Sequence, residues 1–311
     1  SQLLRGYQSI RKLNYKEKSN FNTLCRGSAL RYLLTRSYDY LNTPKKALIK
    51  IKDPKEYLDK LNYHKINCPK PQKSKTGNYL INIKNKPASI VSFVEGRDKN
   101  KLKIKDCYEI GKNIAKFHTV SKKIKLYRKN SLSLSSWPKL LNKIGNKCNK
   151  IDVNLNNLMK TSLTDIKKRW PRKLSSGIIH GDLFIDNIFF KNNKFYGYID
   201  FYFSSNDFLI YEIAICINAL CFDKKKGKFI FNKKKSKNLL KGYSGLRKLS
   251  KDEKNSLNVL CRGAALRYLL TRTYDYLNTS KSAIIKIKNP REYIQKLKIH
   301  NKFNNFKNYY N

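Results

Sequence analysis

The sequence predicts an α+β fold, in which a mostly helical large lobe follows a small strand-rich segment. Two stretches predict the strands: residues 79–93 and 188–199 each consist of apolar runs separated by turn-forming residues. The helices are predicted by apolar residues at helical spacing, above all over 260–277, where no proline interrupts the pattern. Strands and helices that occupy separate stretches of one chain indicate the α+β class.

The strand-rich segment begins at residues 68–71, whose two prolines predict a rigid, extended entry. Residues 79–83 and 88–93 are predicted to form two strands, and the turn-prone residues 84–87 connect them. A helix is predicted over 105–118, because three apolar residues fall on one of its faces: Ile110, Ile114 and Phe117.

A second helix is predicted between residues 208 and 222, with Asn206 as its capping residue near Asp207. This stretch is apolar on nearly every side and too short to cross a bilayer, so we expect a buried core helix. A short helix over 291–297 is expected to follow Pro290.

The chain contains an internal repeat, because residues 3–66 recur at 239–302 without a gap and with most positions identical. Two near-identical copies indicate a duplicated segment rather than a solenoid, which needs more repeats. The repeat divides the chain into three parts. Residues 1–66 are expected to be a helical duplicate of the C-terminal segment, residues 67–96 the remainder of a small lobe with its hinge, and residues 97–311 the large lobe.

Composition narrows the class of protein. Of 311 residues, 40% are hydrophobic, which is enough for a substantial core. No run of 18 apolar residues occurs, so no membrane span is expected, and residues 1–6 show no secretory signal. The seven cysteines form no CxxC pair and no zinc-type spacing, which favours reduced thiols and a cytoplasmic location.

The net charge of +47 has two readings. It could indicate binding to nucleic acid, because clustered Lys and Arg release counterions from a polyanion. However, the lysines are spread along the whole chain beside abundant Asn and Ile, which indicates the codon bias of an AT-rich genome. No aromatic residues are interleaved with them in an RNA-binding motif. The sequence therefore disfavours nucleic acid as the partner.

The candidate catalytic and metal-binding residues lie between residues 180 and 200. His180, Asp182 and Asn187 have the spacing HxDxxxxN, and a predicted hairpin separates Asn187 from Asp200. Because Asn187 precedes the first strand and Asp200 follows the second, the two side chains are expected to lie together at the open end of the hairpin. This is the order of a kinase catalytic loop followed by its metal-binding aspartate.

Each residue type suits a phosphoryl transfer. An alcohol that attacks a γ-phosphoryl group needs an acceptor for its proton, and Asp182 is the candidate. Asn187 and Asp200 supply the oxygen ligands that Mg²⁺ prefers, leaving positions for phosphates and water. His180 is expected to brace the loop through a hydrogen bond, and both Asp207 and Glu212 are expected to be scaffold contacts.

The stretch IIHGDLFIDNIFF at 178–190, followed by IDFYF at 199–203, resembles bacterial homoserine kinase, a member of the aminoglycoside phosphotransferase and choline kinase superfamily. The resemblance extends over about residues 65–302. It implies a protein kinase-like fold, ATP and Mg²⁺ as cofactors, and phosphorylation of L-homoserine on the route to threonine. It also implies that the segment with Phe93 and Val94 is the nucleotide-binding hinge.

The sequence departs from this family near its start. The family begins with a small lobe that carries an ATP-covering loop and a phosphate-binding lysine, whereas residues 1–64 match the family's own C-terminal tail. We therefore expect this chain to phosphorylate homoserine feebly or not at all. Two alternatives stay open at this point: a non-catalytic remnant of a homoserine kinase, and, with less support, a basic nucleic-acid-binding protein.

Overall fold

The computed structural model describes residues 8–9, 12–15, 66–83, 86–279 and 287–310. All elements below belong to one compact unit, which comprises residues 49–278 and 288–311. The expectation that residues 3–66 share the fold of 239–302 falls almost wholly outside the described residues. Among those residues, no helix combines the length and the apolar character that crossing a membrane requires.

The strands in the described part of the chain form two-stranded sheets, and the two strands of each sheet are antiparallel. The strands are β1 (Pro71–Gln72), β2 (Ile81–Ile83), β3 (Lys86–Ala88), β4 (Ile90–Val91), β5 (Ser176–Ile179), β6 (Ile188–Lys191), β7 (Lys194–Tyr198), β8 (Ser205–Phe208), β9 (Phe222–Lys225) and β10 (Lys228–Phe231). They pair as β1–β4, β2–β3, β5–β8, β6–β7 and β9–β10.

Helices contain most of the residues that the described part of the unit places in regular elements. They are α1 (Ile104–Ser121), α2 (Trp137–Ile144), α3 (Leu155–Arg169), α4 (Leu209–Leu220), α5 (Lys233–Leu246), α6 (Lys251–Asn278), α7 (Arg291–Asn301) and α8 (Lys307–Tyr310). The predicted α+β class is confirmed. The helices predicted over 105–118, 260–277 and 291–297 are present as α1, α6 and α7.

The strand-rich segment differs in detail from the prediction. Lys86 and Pro87 were predicted to be part of the connecting turn, but they belong to β3, where they pair with Ile83 and Asn82. The single strand expected over 88–93 is divided, because β3 pairs with β2 while Ile90 and Val91 pair with β1. The two halves of that stretch therefore bond to different partners.

The predicted hairpin between residues 188 and 199 is confirmed as β6–β7. Its turn is Asn192–Asn193, and both residues have positive φ angles of 50° and 60°. Asparagine tolerates this left-handed region better than most residues, which explains the short turn. The backbone of Asn67 extends the hairpin by accepting a bond from the Tyr198 amide at 3.0 Å.

The start of the core helix was predicted wrongly. Asn206 does not cap it, because residues 205–208 form strand β8 against β5 and the cap position is taken by Phe208. The Asn206 side chain instead accepts a 2.7 Å hydrogen bond from the Arg128 amide. A partner distant in sequence thus overrides the local capping preference. The body of α4 is buried almost throughout, as expected.

The hydrophobic core contains one pair of helices, α1 and α5, whose backbones lie in direct contact. Helices α1 and α5 cross where a Cβ atom on Gly111 would lie 2.0 Å from the Leu239 carbonyl oxygen. A Cβ atom on Gly242 would lie 2.0 Å from the Tyr108 carbonyl oxygen. Only glycine permits the backbones to approach this closely. Helix α6 runs through the core, and most of its residues from Leu257 to Thr273 are buried.

Candidate active site

The candidate catalytic loop starts where β5 ends, at His180. Gly181 has a φ angle of +79°, and a Cβ atom there would lie 2.7 Å from the Phe203 carbonyl oxygen. Both the left-handed backbone and the lack of space require glycine. The backbone at Gly181 therefore adopts a conformation between β5 and Asp182 that other residues would not adopt without strain.

His180 connects the loop to the end of β7. Its Nε2 atom lies 2.8 Å from the Ile199 carbonyl oxygen, and its Nδ1 atom lies 3.3 Å from the Asp182 amide nitrogen. A carbonyl only accepts and an amide only donates, so the proton is assigned to Nε2. Burial lowers the pKa of His180 to about 4. The ring is therefore neutral near pH 7, and its two nitrogens connect the Asp182 amide to the Ile199 carbonyl.

Glu212 holds the loop from the side of helix α4. Its buried carboxyl group accepts hydrogen bonds from the backbone amides of His180 and Gly181, the latter at 3.1 Å. Burial raises the pKa of Glu212 to about 8, although these two amide bonds act in the opposite direction. The residue thus serves as a scaffold contact for the loop, as the sequence predicted.

Asp182, Asn187 and Asp200 are brought together by backbone contacts. The Asn187 side-chain amide donates to the Asp182 carbonyl oxygen at 2.8 Å. The Ile199 amide donates to the Asn187 carbonyl oxygen at 3.1 Å, one residue before Asp200. A short 3₁₀ turn, Ile185–Asn187, immediately precedes β6. The three residues therefore meet at the open end of the hairpin.

The environment of Asp200 fits a divalent cation. Its Oδ1 atom is buried and has no hydrogen-bond partner within the described residues. Burial, and then the negative charge of Asp182, raises the pKa of this carboxyl group. An orphaned carboxylate oxygen beside a second carboxylate is costly unless positive charge compensates it. Together with the Asn187 amide, this is the hard-oxygen donor set that suits Mg²⁺.

Phe93 and Val94 lie on the segment that leads from β4 toward β6. Phe93 is 81% exposed, whereas Val94 is buried. Beyond them, Arg97 and Phe190 exchange backbone hydrogen bonds of 2.8 and 3.0 Å. Gly96 permits this pairing, because its φ angle is +98° and a Cβ atom would lie 2.5 Å from the Phe190 carbonyl oxygen. The segment is thus hydrogen-bonded to β6, the first strand of the β6–β7 hairpin.

Helix α6 contributes two side chains that motif analysis missed. Arg267 donates from Nη1 to the Gly181 carbonyl oxygen at 2.7 Å. The Tyr268 hydroxyl lies 3.0 Å from Oδ1 of Asp182 and 3.3 Å from the Gly181 carbonyl oxygen. Both side chains are nearly fully buried. No local signal marks either residue, because their partners lie in a different part of the chain.

This chain matches a known protein family and is similar in sequence to known proteins. The model of the phosphotransferase enzyme family (APH) matches residues 20–227. A homoserine kinase from Agrobacterium fabrum is 38% identical over 244 residues, which cover 78% of this chain and 75% of that protein. A homoserine kinase from Nitrobacter hamburgensis is 39% identical over 246 residues, covering 79% and 74% respectively.

Solved structures of other proteins have a fold similar to that of this chain. The chain resembles the amicoumacin kinase hAmiN, solved with AMP-PNP, Ca²⁺ and Ami, with a TM-score of 0.61 and 15% identity over 80% of this chain and 76% of that one. It also resembles choline kinase from Cryptosporidium parvum Iowa II, with a TM-score of 0.56 and 14% identity over 79% and 76%. These similarities show a kinase-like fold.

Proposed function

Because the chain belongs to the phosphotransferase enzyme family and, within it, to the homoserine kinases, we propose that it phosphorylates L-homoserine with ATP. The products are O-phospho-L-homoserine and ADP, and the reaction is a step toward threonine. The observation that carries the proposal is the meeting of Asp182, Asn187 and Asp200 at one end of the β6–β7 hairpin.

Asp182 is the proposed acceptor of the substrate proton. As the homoserine oxygen forms its bond to the γ-phosphorus, the bond from that phosphorus to ADP breaks and the hydroxyl proton passes to the Asp182 carboxylate. Correct placement of this carboxylate matters, because phosphoryl transfer depends chiefly on positioning and on charge stabilisation. His180, Glu212 and Arg267 fix the loop backbone that leads into it, through the Asp182 amide and both polar groups of the Gly181 backbone.

Asn187 and Asp200 are the proposed ligands of Mg²⁺. The metal ion, when bound, would neutralise charge on the phosphates of ATP. The hydrogen bond from the Asn187 amide to the Asp182 carbonyl orients that side chain, which leaves its carbonyl oxygen as the metal ligand. Phe93 and Val94 remain proposed contacts of the nucleotide base at the hinge.

The proposed compartment is the cytoplasm. Five of the described cysteines are free and buried, namely Cys107, Cys148, Cys216, Cys221 and Cys261. Free, buried thiols suit a reducing environment. The basic composition gives no reason to prefer a nucleic-acid partner, since no described feature of the site depends on it.

The test is release of ADP with magnesium, ATP and L-homoserine, compared with Asp182→Asn. We expect transfer that requires homoserine and falls by about 10²–10⁴-fold in the variant, as the loss of a general base predicts. Circular dichroism and the thermal midpoint serve as controls for folding. Transfer that is unchanged by the substitution, or that does not require homoserine, would contradict the proposal.

The absolute rate is a separate prediction. The duplicated sequence at 1–64 leads us to expect turnover below the ordinary enzyme range of about 1–10³ per second. The same assay measures it, and turnover within that range would show this expectation to be wrong while supporting the proposed function.

A further inference from the structure

Tyr268 is a buried tyrosine whose hydroxyl faces the proposed catalytic base. The distance from its oxygen to Oδ1 of Asp182 is 3.0 Å, and the side chain is 6% exposed. Burial raises the pKa of this phenol well above its ordinary value, so the hydroxyl keeps its proton and donates. A hydrogen bond from a neutral donor to a carboxylate is among the stronger kinds in proteins.

The ring of Tyr268 is fixed by packing on several sides. The Phe184 ring meets it nearly perpendicularly with centroids 5.0 Å apart, and the Tyr293 ring lies at 5.2 Å. The guanidinium of Arg267 lies 4.6 Å from the ring centroid. Since the ring has little freedom, its hydroxyl occupies a set position relative to helix α6. A rigid donor of this kind can fix the orientation of the group that it bonds.

The bond to Tyr268 distinguishes the two oxygens of Asp182. Oδ1 is engaged by the tyrosine hydroxyl, whereas the reaction needs one carboxylate oxygen free to accept a proton. Arg267 holds the preceding carbonyl, so helix α6 fixes both the backbone and the side chain of the loop. Without the tyrosine hydroxyl, the carboxylate could rotate about its terminal torsion, which is broad for aspartate.

We propose that Tyr268 is a positioning residue, which holds Oδ1 of Asp182 so that Oδ2 faces the acceptor hydroxyl. The proposal rests on the proposed function, since it assigns Asp182 as the base. Tyr268 acts through Asp182 and takes no proton itself. A purely structural tyrosine would instead support the packing of α6, and its loss would lower stability without affecting the chemical step selectively.

Tyr268→Phe removes only the hydroxyl. We expect kcat to fall by about 10–100-fold, since small misplacements of reacting groups have effects of this size. The KM values for ATP and homoserine should stay within about twofold, because an interaction that matters only in the transition state lowers kcat alone. Tyr276→Phe is the matched control: this tyrosine lies on the same helix and is 47% exposed, so kcat should not change.

Combining Tyr268→Phe with Asp182→Asn tests whether the tyrosine acts through the aspartate. We expect no further loss of the residual rate, because residues that act as a unit are strongly non-additive. Unchanged kcat in Tyr268→Phe would overturn the proposal. So would a further loss in the Asp182→Asn background, or a loss expressed in KM alone.

A measurement without catalysis separates this proposal from the proposed function. If the parent chain transfers no phosphate to homoserine, the proposed function fails, and the bond is then tested by urea unfolding. The shifts in midpoint caused by Tyr268→Phe and Asp182→Ala should be non-additive in the double variant, because both remove the same hydrogen bond. Additive shifts would overturn the proposal.

Discussion

Asp200 adopts a backbone conformation that limits which substitutions are informative. Its φ and ψ angles are 63° and 64°, in the left-handed region that asparagine and aspartate tolerate better than most residues. Asp200→Asn therefore keeps the backbone while it removes the charge, whereas alanine would change both. Asparagine is the substitution that tests the metal ligand rather than the turn.

We expect Asp200→Asn to weaken binding of Mn²⁺ together with a non-hydrolysable ATP analogue by at least about 10-fold. That is the lower end of the loss caused by removing even an outer-shell partner of a metal. Titration calorimetry measures the affinity. Asp186→Asn is the control, because Asp186 is in the same loop but is exposed and lies 3.9 Å from Lys288. Equal losses in both variants would contradict a specific role for Asp200.

At the scale of elements, the crossing of α1 and α5 is the clearest constraint. Gly242 lies at the crossing, whereas Gly245 lies three residues later in the same helix, where an added Cβ atom would have nothing within 4 Å. Alanine favours a helix over glycine by about 1 kcal/mol. Contact with a carbonyl oxygen at 2.0 Å far outweighs this preference at Gly242, because the backbones would have to separate.

Gly242→Ala should therefore lower the free energy of unfolding by about 1–3 kcal/mol or more. Gly245→Ala should leave it unchanged or raise it by up to about 1 kcal/mol. Urea denaturation of both variants provides the comparison. Similar effects of the two substitutions would mean that the helices do not approach at Gly242 as described.

The elements also show what sequence patterns can predict. The β6–β7 hairpin and helices α1, α6 and α7 follow from local signals, namely the Asn192–Asn193 turn and apolar periodicity. Sequence patterns did not predict the structure where contacts with residues distant in sequence determine it. Ser205 and Asn206 join a strand because β5 is available to pair with them, and Tyr268 reaches Asp182 across 86 residues. Neither contact leaves a mark in the neighbouring sequence.

For the whole molecule, buried histidines couple stability to pH. His118, His180 and His300 are buried, and burial lowers the pKa of each, to about 4 for His180 and about 3 for His300. Unfolding exposes them to water, where they bind protons near pH 6.5. Their contribution to stability is thus fully present above pH 6.5, and it is lost as the pH falls toward the folded-state values.

The substitution His300→Gln removes one of the three histidines that bind a proton on unfolding. In the parent chain, His300 contributes a decrease of about 1.4 kcal/mol in the free energy of unfolding per pH unit between about pH 6 and 4.5. The slope should be smaller by that amount in the variant, whatever its stability at neutral pH. Urea denaturation at several pH values measures both slopes, and parallel slopes would show that His300 does not stay neutral in the folded protein.

The span of 86 residues between Asp182 and Tyr268 also bears on the order of events during synthesis. The loop with the proposed base leaves the ribosome long before helix α6 exists. Until that helix docks, the Gly181 carbonyl and the Asp182 carboxylate lack the partners that fix them. Closure of a long loop is slow relative to local folding. On the proposed function, we therefore expect competence for phosphoryl transfer only after α6 has docked, although shorter chains already contain Asp182, Asn187 and Asp200.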